Sequence, residues 1–395
     1  MSERNRPVPR VGMVGGGQLA RMTHQAGIAL GIDFRVLAGS AADSAALVSG
    51  SVHVGNDRGS ADLPAFAKSC DVLTFDHEHV PEPVLRELEE AGAVVRPSRA
   101  ALRYAQDKLR MRTRVQELAA PCPRWRPVTT PAHVESFAEA GKAAGGRSAG
   151  PDWPVVLKAA RGGYDGKGVW IVHNAAEARD VIDRAAAEEV PLLVEEKVAF
   201  RRELAVQVAR SPYGQLAVYP VVETVQRDGI CHEVIAPAPG LDEEKATRAQ
   251  ELAIELAHAL DVVGMLAVEL FETEDGVVVN ELAMRPHNSG HWTIDGARTS
   301  QFEQHLRAVL DLPLGSPRTT APYTVMANVL GGEDPDVYGR YIHVMAKDPE
   351  LKVHFYGKEV RPGRKIGHVT VAGEDHGDLL ARARDAAAYL KGDPR

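Results

Sequence analysis

The sequence predicts an α/β chain with an α+β centre and a small β-rich carboxy-terminal part, on three observations. Over about the first hundred residues, short apolar β-type runs alternate with helical text, the pattern of a parallel, doubly wound sheet. From 192 to 225, β-rich runs follow one another and lead into an amphipathic helix and a hairpin. Beyond Leu314 the text returns to short strands and closes on an Ala-rich helix. The 395 residues leave room for two to three domains.

In chain order, the apolar run 11–14 meets Gly15-Gly16-Gly17 and passes into helical spacing over 18–30, a strand, glycine turn and helix. Runs 34–37, 52–54, 72–75 and 93–95 read as further strands, and 61–69 and 83–91 as helices between them. The text of 98–118 is helical until Pro121-Cys122-Pro123 breaks it, which places a domain boundary near 108–120. A helix over 131–144 and a glycine-rich stretch precede the strand 155–157. The segment 241–260 is an amphipathic helix, and 265–282 a hairpin around Glu274-Asp275-Gly276. Strands are expected at 324–330, 352–355 and 368–371, and a helix at 379–390.

Charge narrows the function classes. With 46 Lys and Arg against 54 Asp and Glu, the net charge of −8 offers no field for nucleic acid, so any phosphate site must be local. Cys70, Cys122 and Cys231 are few and scattered, against a disulfide framework or a zinc knuckle, and point to a reducing cytoplasm. No run is long enough to span a membrane, and the opening ten residues read as a short tail rather than a signal segment.

Five constellations bear on chemistry. Gly15-x-Gly17-x-x-Ala20 follows a strand and opens a helix, where backbone amides can cradle a phosphate. The second strand runs into Ala38-Gly39-Ser40 without the acidic residue that a dinucleotide ribose needs, so a bare turn or a monophosphate site stays open. Arg161-Gly162-Gly163-Tyr164-Asp165-Gly166-Lys167-Gly168 lies between two strands and reads as a glycine lid over phosphates, with Lys158 and Lys167 supplying charge. It fails the Walker spacing. A three-residue turn at 274–276 would set Glu269 opposite Glu281, and two facing carboxylates call for a cation such as magnesium beside a nucleotide. Arg285-Pro286-His287-Asn288-Ser289-Gly290-His291-Trp292 gathers donors for an anion, while Pro286 and Gly290 disfavour a helical zinc pair at His287 and His291. The last, 358–365, is basic and on its own reads equally as a solvated turn.

In this order the five pieces resemble the ATP-grasp superfamily, and most closely the 5-(carboxyamino)imidazole ribonucleotide synthases, over nearly the whole chain. The strings GGYDGKG at 162–168 and RPHNSGHW at 285–292, with Arg361-Pro362-Gly363-Arg364-Lys365, carry the resemblance. It implies a Rossmann-like amino-terminal domain at 1–110, an ATP-grasp module at 111–315 with a lid subdomain at about 120–192, and a small β-rich domain at 316–395. It implies ATP-dependent carboxylation of 5-aminoimidazole ribonucleotide with bicarbonate through carboxyphosphate, in a cytoplasmic homodimer, with transfer of product to a downstream mutase left open. Nucleotide contacts carried over by position are Lys108, Lys158, Gly163, Tyr164, Asp165, Gly166, Lys167, Gly168, Glu195, Glu196, Lys197, Val198, Glu203, Asn280 and Glu281. Glu195 and Val198 would face the adenine and its linking segment, and Glu203 the ribose. Glu269 and Glu281 would hold magnesium, with manganese as the alternative ion. Gln18, Glu78, Tyr164, Asp165, Lys358, Arg364 and Lys365 would meet the ribonucleotide, and Arg285, His287, Asn288, Ser289 and Lys358 would serve the bicarbonate chemistry. Three positions depart from the family: Phe75-Asp76-His77-Glu78-His79 replaces a glutamate-rich pattern, Met284 a proline, and Gln226 a histidine. A ligase for another phosphorylated amine, a nucleotide sensor on the same fold, and an NAD-dependent oxidoreductase remain as other readings.

Overall fold

The structure, a computed structural model, describes residues 8–56, 59, 61–143, 153–163 and 166–393. Its strands form three sheets. The first contains β1 (Arg10–Val14), β2 (Asp33–Ala38), β3 (Val52–Val54) and β4 (Val72–Phe75), all parallel in the order β3-β2-β1-β4. The order reverses at β1, so the crevice beyond the carboxyl ends of β1 and β4 is a natural ligand position. Gln18 and Glu78 follow those two ends. The expected strand at 93–95 reduces to one parallel bridge, Leu73 with Val95.

The helical text of 98–118 forms two helices, Arg99–Gln106 and Lys108–Glu117. Asp107 makes the break, because its Oδ1 accepts the backbone N–H groups of Leu109 and Arg110 at 3.0 and 3.1 Å and caps a new helix. The second sheet is antiparallel, β5-β8-β6-β7, built from β5 (Trp125–Val128), β6 (Val155–Ala159), β7 (Val169–Val172) and β8 (Leu192–Glu196). Helices Pro131–Ala143 and Ala175–Ala187 give it a core of Val134, Phe137, Leu157, Val181 and Val194.

The third sheet has nine strands: β9 (Arg202–Arg210), β10 (Leu216–Val218), β11 (Val222–Arg227), β12 (Ile230–Ala236), β13 (Gly264–Glu272), β14 (Val277–Ala283), β15 (Tyr323–Leu330), β16 (Lys352–Phe355) and β17 (Lys365–Gly373). Its main path is β14-β13-β9-β11-β12-β15-β17-β16. The three carboxy-terminal strands thus extend the central sheet through the β12–β15 pairing, with helices Tyr338–Lys347 and His376–Lys391 beside them. Helix Gln301–Val309 joins this sheet to the first: Leu306 and Val309 pack with Val11, Met13 and Phe34. His305 Nδ1 accepts the Met265 N–H at 3.1 Å, while its Nε2 pairs with Thr74 Oγ1 at 2.7 Å. The carboxy-terminal part folds back on the first glycine turn, where Ser44 Oγ donates to the Tyr356 carbonyl and Lys358 Nζ donates to Gln18 Oε1.

Candidate active site

The carboxylate pair is reached by a different turn than expected. Glu272 faces Val277, so the turn has four residues, Thr273 to Gly276, closed by Thr273 N–H to the Gly276 carbonyl at 2.8 Å. A bulge between Leu270 and Glu269 then shifts the register by one and sets Glu269 opposite Glu281. The expected opposition is present, with Asn280 as the extra residue that produces it. Burial pushes the Glu269 carboxyl up, and the charges of Glu281 and Glu203 add to this. Burial acts the same way on Glu281, but Lys108, by charge and a 2.5 Å hydrogen bond, holds it below the usual range. Two hard oxygen donors facing each other suit a divalent cation that also takes phosphate oxygens, provided both are ionised. Among the described residues no group of three or more His, Cys, Asp or Glu could hold a metal ion.

Beside the pair, Lys158 Nζ donates to Asn280 Oδ1 at 3.0 Å and sits 2.8 Å from Glu195 Oε2. The other Glu195 oxygen accepts Arg112 Nε at 2.6 Å. Glu195 is only 2% exposed and has both oxygens engaged, yet it stands in the cavity lining next to Glu196, Lys197 and Val198. Glu196 likewise accepts the Arg124 backbone N–H at 2.7 Å. Apolar lining comes from Val156, Ile171, Val198, Phe200 and Phe271, with the two phenylalanine rings stacked at 4.6 Å. Sequence reasoning missed this slot, although Phe271 stands two residues from Glu269 on the same strand face.

The lid enters from the β6–β7 turn. Gly163 and Gly166 line the cavity, both with positive φ, while the exposed Lys167 and the half-buried Gly168 lie outside its lining. A Cβ on Gly166 would stand 3.0 Å from the Gly229 Cα, so the lid meets the β11–β12 turn closely. Gln226, Asp228 and Gly229 on that side also line the cavity. Tyr164 and Asp165 lie outside the described residues.

The loop after β14 forms the far wall. Arg285 Nε donates to Glu78 Oε2 at 2.8 Å, while Glu78 Oε1 is buried with no hydrogen-bond partner among the described residues. His287 Nδ1 is 2.7 Å from Ser289 Oγ, and its Nε2 stands 3.5 Å from Glu269 Oε1. Burial, then Arg285 and Lys365, push the imidazole down to about 3, so it is neutral at physiological pH. Ser289 corrects another expectation: it is 1% exposed, and its hydroxyl accepts Gln207 Nε2 at 2.7 Å, so it supports His287 from behind rather than facing bicarbonate. Asn288 exchanges two amide hydrogen bonds with Asn328, at 2.9 and 2.8 Å.

The amino-terminal glycine turn is not an open phosphate cradle. Gly17 N–H donates to Asp76 Oδ2 at 2.5 Å, so a carboxylate of the chain occupies the position that an anion would take. A Cβ on Gly15, whose φ is +104°, would fall 1.8 Å from Asp76 Oδ1. The basic cluster divides: Lys365 lines the cavity, Lys358 reaches Gln18, and the exposed Arg364 turns back to the Glu359 carbonyl at 3.3 Å. The cavity measures about 760 Å³ and brings together Glu78, Lys108, Lys158, Gly163, Gly166, Glu195, Glu196, Lys197, Val198, Glu203, Glu269, Asn280, Glu281, Arg285, His287, Asn288 and Lys365. Gln18, Ser289, Lys358 and Arg364 are outside its lining.

Three family matches run along the chain: the ribonucleotide synthetase preATP-grasp domain at 8–106, the ATP-grasp domain at 113–302, and the phosphoribosylaminoimidazole carboxylase C-terminal domain at 324–382. The N5-carboxyaminoimidazole ribonucleotide synthase of Mycobacterium tuberculosis is 55% identical over 386 residues, covering 97% of this chain and 88% of that one. A solved N5-carboxyaminoimidazole ribonucleotide synthetase in complex with ADP superimposes with a TM-score of 0.86 at 33% identity over 97% of both chains. The Aspergillus clavatus synthase, solved with ADP and 5-aminoimidazole ribonucleotide, gives 0.84 at 32% identity over 97% of this chain and 98% of that one.

Proposed function

The chain belongs to the N5-carboxyaminoimidazole ribonucleotide synthases, ATP-grasp ligases of purine biosynthesis, and from that premise we propose how its cleft carboxylates the amine of 5-aminoimidazole ribonucleotide with bicarbonate and ATP. The observation that carries the proposal is one cavity holding an apolar slot, two lysines, a facing carboxylate pair and the Arg285–Glu78 pair. The purine stacks among Val156, Ile171, Phe200 and Phe271, with Lys197 and Val198 along its edge and Glu203 at the ribose. Lys108 and Lys158 meet the phosphates, and the glycines of the lid close over them. Glu269 and Glu281 would hold magnesium, which when bound would supply charge neutralisation for the phosphates.

Bicarbonate is anionic and carries a poor leaving group, so it must be activated. One of its oxygens attacks the γ-phosphorus, the bond to the β-bridging oxygen breaks, and ADP leaves. The product, carboxyphosphate, carries phosphate as its leaving group. The amine nitrogen then bonds to the carboxyl carbon, phosphate departs, and the nitrogen loses a proton. Arg285, Asn288 and His287 bind the carboxyl oxygens, while the unpartnered Glu78 Oε1 takes the amine. Lys365, in the cavity lining, meets the ribonucleotide, and Gln18, Lys358 and Arg364, outside that lining, belong to the same proposal for its phosphate end.

The domain divisions 1–110, 111–315 and 316–395, the homodimer, the cytoplasmic location and transfer of product to a mutase belong to the same proposal. No helix among the described residues is long and apolar enough to cross a membrane, and Cys70, Cys122 and Cys231 are free thiols. The test is phosphate release from ATP with magnesium and bicarbonate, with and without 5-aminoimidazole ribonucleotide. Release that needs the ribonucleotide and matches carboxylated product supports the proposal; release indifferent to it points to a different amine.

A further inference from the structure

We propose that Arg112 is a positioning residue for the metal-dependent step, acting by holding the β14 bulge that turns Asn280 and Glu281 into the same cavity. β14 is an edge strand, and on its outer side Val279 N–H donates to the Pro121 carbonyl at 2.8 Å. On that side the fully buried Arg112 donates Nη1 to the Val279 carbonyl at 3.0 Å and Nη2 to the Asn280 carbonyl at 2.7 Å. In a regular strand successive carbonyls point to opposite edges and successive side chains to opposite faces. One guanidinium can take two successive carbonyls here because of the bulge at this point, and the same distortion sends both neighbouring side chains to the cavity. Asn280 Oδ1 then meets Lys158, and Glu281 faces Glu269.

The third donor of Arg112, Nε, binds Glu195 on β8, so one side chain ties the second sheet to the bulge. Lys108, one helical turn earlier on the same helix, bonds Glu281. The planar fork is what the geometry requires, and a lysine, as a single point donor, cannot take both carbonyls and Glu195 together. Arg112 is fully buried and stands outside the cavity lining. Its effect reaches the reaction through where Glu281 stands, as outer residues of metal sites commonly act.

This inference rests on Glu281 as a magnesium ligand, and the test separates the two. ADP binding is measured by calorimetry on the whole chain, with and without magnesium, for wild type, Arg112→Lys, Glu281→Gln and the double variant, with thermal unfolding of each. Arg112→Lys is expected to cut the magnesium-dependent gain in ADP affinity about tenfold. In the Glu281→Gln background it should cost little more, because both changes remove the same ligand. An undiminished magnesium gain in Glu281→Gln would remove the metal assignment beneath the inference. A wild-type gain in Arg112→Lys beside a deficient Glu281→Gln would overturn the role of Arg112 alone, as would losses that add in full or that are equal with and without magnesium. If the lysine variant does not fold, Arg112→Gln replaces it, and failure of both to fold assigns Arg112 to stability and overturns the positioning role.

Discussion

Loading the cleft with magnesium and ADP should expel a proton from Glu269. The side chains of directly opposed strand residues stand about 5 Å apart. Two carboxylates at that distance repel by roughly 1.5–3 kcal/mol at an effective dielectric constant of about 20–40, or about one to two pKa units. The opening of Glu281 to the cavity favours the lower end. Burial of Glu269 acts in the same direction, and Lys108 bonds Glu281, so the proton resides on Glu269. A divalent cation needs both groups ionised, so binding releases part of one proton near neutral pH and none well above it. Metal affinity should therefore rise with pH, by up to about tenfold per unit, and then level off. Calorimetry in buffers of different ionisation enthalpy reads the proton count directly. In the metal-free protein, the raised carboxyl binds its proton more tightly folded than unfolded, so stability is lost as pH rises through its folded pKa. Magnesium uptake with no proton release from about pH 6 to 9, or equal release in Glu269→Gln, would refute the reasoning.

Lys365→Ala should raise the KM for 5-aminoimidazole ribonucleotide about tenfold or more while ADP affinity changes less than threefold, because the ammonium lines the cavity near Glu269 and His287. Paired initial-rate and binding measurements decide it. Gly166→Ala should raise the KM for ATP several-fold at unchanged thermal stability, because an added Cβ combines a φ of +76° with a 3.0 Å approach to the Gly229 Cα. A wild-type KM would show that the lid closes without that contact.

Local pattern made much of the fold legible. The runs that became β1, β2 and β4 are short, apolar and bounded by glycine or polar turns, and period and breaker residues were enough. Residues 93–95 have the same composition, but they form only one bridge to a partner strand, Val95 with Leu73, a matter of tertiary position. Asp107 could have been read as a cap; within a charged helical stretch its signal was outweighed by the surrounding periodicity. The continuation of the central sheet into β15 depends on pairing across about ninety residues, which no window captures. In the site, Glu269 and Glu281 were legible because hairpin pairing is local, yet the turn length and bulge had opposite one-residue effects and hid each other. The ion pairs of Glu195 were not legible, because its partners Arg112 and Lys158 come from two other elements. Asp76 closed the glycine turn for the same reason: nothing near Gly17 in sequence announces the carboxylate that fills it.

The neutral His287 limits which group can take the proton that the amine loses. Ser289 Oγ accepts from Gln207, which leaves its own hydrogen for His287 Nδ1, and the Ser289 backbone N–H approaches that nitrogen at 3.4 Å. Nδ1 is therefore an acceptor already engaged from behind, and the ring hydrogen lies on Nε2, toward Glu269 and the cavity. In this tautomer His287 can donate to a carboxyl or phosphate oxygen but cannot accept a proton at its cavity-facing atom. The departing phosphate, or Glu78 through Oε1, is left to receive it. Ser289→Ala removes the hydroxyl that fixes this arrangement, so the ring divides between two tautomers and Gln207 loses its acceptor. The expected result is a fall of about tenfold in kcat, in line with a lost buried hydrogen bond of about 1–3 kcal/mol, with the KM for ATP little changed. Wild-type kcat in Ser289→Ala would mean that His287 does not act as an oriented donor, and would return it to the candidates for the base.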